Sequence, residues 1–115
     1  MSYDVSFRRC VENFEGDLYL NEDFNMTSNV NPMYHAAGVA LGDQDFWIGY
    51  LDKMNTKDVV AKIQPVYGYM IEHPDEMRAL EPENGWGDYE SALKFLKEIL
   101  VTCLDHPECF VEVSA

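Results

Sequence analysis

The chain has 115 residues, 47% hydrophobic and 13% aromatic, with 8 Lys and Arg against 21 Asp and Glu and a formal net charge of −13. This composition suits one folded domain with its own core and excludes a disordered chain. The charge excludes direct binding to nucleic acid, whose phosphates need Lys and Arg, and disfavours anionic membrane surfaces; no apolar run approaches the roughly 20 residues that span a bilayer.

Met1-Ser2-Tyr3-Asp4 lacks the basic and apolar regions of a signal peptide, so the expected compartment is the cytoplasm. Residues then alternate up to Arg9, with Tyr3, Val5 and Phe7 on one side and Asp4, Ser6 and Arg8 on the other, as in a half-buried strand. Asn13 to Asp17 reads as a turn, and Leu18-Tyr19-Leu20 as a returning strand that makes a hairpin. The polar stretch from Asn21 runs into Asn31 as a helix N-cap, Pro32 at the first helical position and Gly38 just past the end, a helix of about two turns. The Asn and Thr side chains before it suit local backbone groups. Alternatively, Asn25, Thr27 and Asn29 share one face of an extended segment and form a neutral hydrogen-bonding strip for a polar ligand, which His35 joins.

Leu41 to Gln44 reads as a loop. Phe46 to Leu51 is short and apolar, and periodicity does not separate strand from helix there; its Trp47 and Tyr50 suit an interaction surface. Thr56 is the expected N-cap of a helix carrying Val59, Val60, Ile63, Tyr67, Met70 and Ile71 at helical spacing. Pro65 within it removes a backbone bond and predicts a kink or break near Ile63-Gln64. Pro74 to Leu80 suits another helical turn. Tyr89, Ala92, Leu93, Leu96, Ile99, Leu100, Cys103 and Leu104 fall on one face of a last long helix, capped by Asp88 and stopped at His106-Pro107. Cys109 to Val113 is a short strand whose pairing with the first would join both ends in one sheet. The expectation is a single α+β domain over residues 1–115, with a small antiparallel sheet from the terminal strands packed against two or three helices.

Cys10, Cys103 and Cys109 have no Cys-x-x-Cys spacing, so neither a disulfide framework nor a zinc site is expected, and no cofactor is implied. Nothing pairs a cysteine with His35, His73 or His106 as a nucleophile and base, and no catalytic set is evident. Glu72, Asp75, Glu76, Glu81, Glu83, Asp88 and Glu90 form the densest acidic run, answered only by Arg78. It contains no calcium-loop pattern. Between those acids, Asn84-Gly85-Trp86-Gly87 predicts positive-φ glycines in a tight turn, with Trp86 as a core plug or part of a binding loop.

Two stretches, Asn25-Met26-Thr27-Ser28-Asn29-Val30-Asn31-Pro32-Met33 and Glu81-Pro82-Glu83-Asn84-Gly85-Trp86-Gly87-Asp88-Tyr89, together with the Val111-Glu112-Val113 strand after His106-Pro107, resemble a family of small uncharacterised bacterial and phage proteins. That family carries N-x-T-x-N and N-G-W-G-x-Y motifs; Glu81 stands where its pattern has Asn. The resemblance implies a bacterial or phage-infected cell and a shared fold, and carries no catalytic residue.

Charge and resemblance together point to a non-enzymatic interaction protein that engages a basic host protein through the acidic run. In concrete form it is a phage-encoded, anti-CRISPR-like inhibitor of a nucleic-acid-binding defence nuclease, with carboxylates placed where phosphates bind. The alternative is a small polar-ligand binder or enzyme built from Asn25, Thr27, Asn29, His35, Asn84 and Trp86. The surface aromatics also permit a homo-oligomer.

Overall fold

The computed structural model describes residues 2–9, 18–20, 23–85 and 87–114. The chain is a single α+β domain built around its first strand. In β1 (Ser2–Arg9), Tyr3, Val5 and Phe7 are fully buried while the alternate residues face outward, as the period of two requires. Both edges of β1 are used. On one, β4 (Cys109–Ser114) pairs antiparallel from Asp4↔Ser114 to Arg9↔Cys109. On the other, β3 (Phe24–Thr27) pairs with residues 2–5 and β2 (Leu18–Tyr19) with Arg8 and Arg9. The expected hairpin and the expected union of the two terminal strands are both present. The Asn13 to Asp17 turn lies outside the described residues.

The outer edge of β4 is closed by the chain itself. Val111 N–H donates to Met54 O at 2.8 Å, Lys53 N–H donates to Val111 O at 2.7 Å, and Val113 N–H donates to the Asp52 carboxylate at 2.9 Å. These bonds remove the exposed ladder that invites edge-to-edge aggregation.

Among the described residues four α-helices form the layer beside the sheet, α1 (Asn31–Ala40), α2 (Thr56–Glu72), α3 (Pro74–Arg78) and α4 (Tyr89–Asp105), with α2 and α4 packed directly against its strands. α2 and α4 pack antiparallel, because buried hydroxyls tie opposite ends together. Tyr89 Oη donates to Met70 O at 2.6 Å, and Thr56 Oγ1 donates to His106 O at 2.6 Å. Tyr34 Oη donates to Ala92 O at 2.8 Å and fixes α1 to α4; burial pushes its phenol well above the usual tyrosine range. Ala92, Leu96, Ile99 and Cys103 line the buried face of α4, joined by Phe95. Each large side chain so buried contributes about 1.5–3 kcal/mol.

Several local expectations give way to packing. Leu104 keeps the helical spacing but is 59% exposed, while Thr102 and Cys103 in the same last turn are buried, so the buried face passes to one side of it. Asn55, not Thr56, caps α2, its side chain accepting from Lys57 N–H at 2.8 Å; Thr56 is buried and spends its hydroxyl on His106. Asn31 lies inside α1 behind a 3₁₀ turn at Ser28–Val30, and no side chain caps that helix. Gly38 does not end α1. A Cβ there would stand 2.7 Å from Phe46 Cβ and 3.0 Å from Asp43 O, so Gly38 lets the next loop lie against the helix. That apolar loop forms a 3₁₀ turn at Ile48–Leu51. α2 runs through Pro65 without a break. Pro65 and Ala61 are both exposed, which leaves the unbonded carbonyl open to water.

Asp88 caps α4 as expected, accepting from Ser91 N–H at 2.7 Å. That backbone bond holds its carboxyl below the ordinary 3.8. A group whose pKa is depressed by folding stabilises above its unfolded pKa and loses that contribution as pH falls through the folded value. Asp88→Ala is therefore expected to lower stability by about 0.5–2 kcal/mol at neutral pH. Urea denaturation across pH should show the deficit shrinking below the ordinary 3.8.

Candidate functional site

The acidic run folds into one region at the end of the helical layer. Glu72 is the last residue of α2, Asp75 and Glu76 occupy the first turn of α3, Asp88 caps α4 and Glu90 lies in its first turn. Glu83 is exposed in the α3–α4 loop and Glu81 is half-buried. Side chains knit the region. Tyr69 Oη on α2 donates to Glu76 Oε2 at 2.7 Å, which raises the phenol's pKa. Arg78 hydrogen-bonds Glu90, lies 3.9 Å from Glu81 and sits over the Tyr89 ring, 4.9 Å from its centroid. The Arg78 hydrogen bond holds the Glu90 carboxyl below its usual range, and the guanidinium is held charged in return. Arg78 is the sole Lys or Arg between Ile63 and Leu93. Glu72, Asp75, Glu76 and Glu83 have no ion pair among the described residues.

The Asn and Thr positions are mostly engaged by the protein itself. Asn25 Nδ2 donates to Asp4 Oδ1 at 2.8 Å and to Tyr3 O at 3.2 Å, linking β3 to β1. Thr27 Oγ1 accepts from Asn29 N–H at 3.4 Å. The extended path ends at Thr27, so Asn29 belongs to the 3₁₀ turn and leaves the face that Asn25 shares with Thr27. His35 is exposed on α1, Asn84 is exposed in its turn, and Trp86 lies outside the described residues.

The two sequence motifs nevertheless meet. Gly85 and Gly87 have φ of 75° and 99°, the left-handed values that the turn composition predicts. A Cβ on Gly87 would lie 2.7 Å from Val30 Cγ1 and 2.8 Å from Thr27 Cγ2. The tight turn before α4 is thus seated directly on the segment before α1.

A groove of about 420 Å³ opens beside this contact, lined by Asn31, Pro32, His35 and Trp47. Trp47 is 42% exposed and tilts against the Tyr3 ring, with 5.9 Å between centroids. Asn31 donates to the Tyr3 hydroxyl from Nδ2, while its Oδ1 is buried without a partner among the described residues. Asn25 lines a different cavity of about 190 Å³ with Met26, Ser91, Lys94, Phe95 and Glu98. Of the candidate ligand residues, Asn25 and His35 therefore line different cavities. Sequence reading marked Trp47 as a surface residue and Asn31 as a helix cap; only the fold reveals that they share a groove with His35.

No family model matches the chain, and neither does any curated protein or solved structure.

Replacing the two turn glycines separates backbone strain from contact. Gly85→Ala meets open space, so its cost is that of the left-handed backbone, about 1–2 kcal/mol. Gly87→Ala adds collisions with Val30 and Thr27 and is expected to cost about 1–3 kcal/mol more. Urea titrations of the two variants should show that order.

Proposed function

We propose that the chain is a non-enzymatic interaction protein whose acidic end binds a basic, nucleic-acid-binding partner. In its most specific form the partner is a defence nuclease in the cytoplasm of a bacterial or phage-infected cell, and the carboxylates stand in for phosphates. Glu72 is the observation that carries this reading. Asp75, Glu76, Asp88 and Glu90 lie at helix N-termini, where the macrodipole favours negative charge. Glu72 lies at the opposite pole, the last residue of α2, with no basic residue in that turn. Glu83 is in a loop, where the macrodipole does nothing for it. Placing more acid where the fold gains nothing from it is what a surface selected for a cationic partner requires.

A second reading rests on a different observation. The buried, unpartnered Asn31 Oδ1 beside the Trp47 groove suits a small ligand that brings a hydrogen-bond donor and a flat or apolar face.

The first reading is tested by capture from bacterial lysate on immobilised chain, compared with a variant carrying Glu72→Gln, Asp75→Asn, Glu76→Gln and Glu83→Gln. The variant keeps the Arg78 contacts and the Asp88 cap. A basic protein retained at low salt by the native chain, lost from the variant, eluted by high salt and displaced by duplex DNA is the expected result. Equal retention by both chains would overturn the proposal.

A further inference from the structure

We propose that His106, Glu108 and Cys109 form a binding site for a soft divalent transition-metal ion, zinc by the chemistry of its ligands. The turn that ends α4 creates the site. Pro107 stops the helix, and Cys109 N–H donates back to His106 O at 3.3 Å, so residues 106–109 fold into a tight turn with proline at its second position. One ligand atom from each of the three side chains lies within 4.8 Å of the other two. His106 Nδ1 and Glu108 Oε1 are 3.7 Å apart.

The supporting backbone is fixed on all sides. Thr56 Oγ1 donates to His106 O at 2.6 Å, and His106 N–H donates to Thr102 O at 3.0 Å. Cys109 starts β4 in register with Arg9 and is fully buried. Ligands of a tetrahedral zinc bonded at about 2.0–2.3 Å stand roughly 3.3–3.8 Å from one another, so side-chain rotations closing about 1 Å complete the geometry.

Charge and softness select the ion. A thiolate and a carboxylate balance a dication, and imidazole with thiolate favours zinc or cobalt over magnesium or calcium. Among the described residues, Arg9 and Cys103 also lie beside the site. Arg9 Nη2 lies 3.1 Å from Glu108 Oε1, the oxygen that His106 also approaches. Cys103, also buried, lies near Cys109. The sequence hides this set because His106-Pro107-Glu108-Cys109 has none of the paired-cysteine spacings of known zinc motifs.

The test is titration of the reduced, chelator-treated full chain with cobalt(II), read in the near ultraviolet and visible. Expected are a thiolate-to-cobalt charge-transfer band saturating at one ion per chain, displacement of cobalt by zinc, and loss of the band in Cys109→Ser. His106→Ala and Glu108→Gln alter side chains outside the core and should retain the native circular dichroism. Each should weaken binding by at least about 10–100-fold, the range set by loss of even an outer-sphere partner. Absence of the band, its persistence in Cys109→Ser, or unchanged affinity in both other variants would overturn the site. Cobalt held only by the acidic end gives no thiolate band, so this outcome is independent of the partner proposed above.

Discussion

Everything else in the fold depends on the burial of Tyr3, Val5 and Phe7 along one face of β1 while both its edges are bonded. A strand with both edges occupied forces the two chain ends into one sheet, and its buried face gives the helical layer a single surface to cover. The helices are then positioned by hydroxyls. Tyr34, Thr56 and Tyr89 each donate to a carbonyl of another helix or its cap, joining α1 to α4 and the antiparallel pair at both ends. Buried hydroxyls of this kind are specific because leaving one unpaired costs about 1–3 kcal/mol.

The same architecture brings the acids together. α2 ends, α3 turns and α4 begins within one short stretch, so two helix N-termini and two C-termini converge there. Helix macrodipoles account for the acids at the N-termini, and Arg78 offsets Glu81 and Glu90. What remains is negative charge at Glu72 and Glu83 that neither explains. On a chain of net charge −13, added repulsion at one end opposes folding, and it is this excess on which the proposed cationic partner rests.

Much of the fold was legible in the sequence. Alternation marked β1, helical spacing with Asp88 marked α4, and the short valine-bearing strand after Pro107 marked β4, because each is a local pattern of adequate length. What escaped depended on tertiary contact. Gly38 read as a helix stop and is a close-packing point beneath Phe46; Thr56 read as a cap and is a buried donor to His106. Pro65 read as a kink or a break, and α2 continues through it with Pro65 and Ala61 both exposed. For function, the acidic run was visible as a run, but its asymmetry about the helix poles was not. The Asn31, His35 and Trp47 groove and the His106, Glu108 and Cys109 turn needed the fold, since neither follows a spacing rule.

The two proposed readings place the main role on different surfaces, the acidic end and the groove at Trp47. Amide chemical-shift mapping of the labelled chain during titration with an arginine-rich peptide at low salt decides between them most directly. The account predicts that the largest shifts fall at Glu72, Asp75, Glu76 and Glu83 and vanish on adding salt. Shifts spread evenly over the chain's exposed carboxylates, or centred on Asn31, His35 and Trp47, would contradict it.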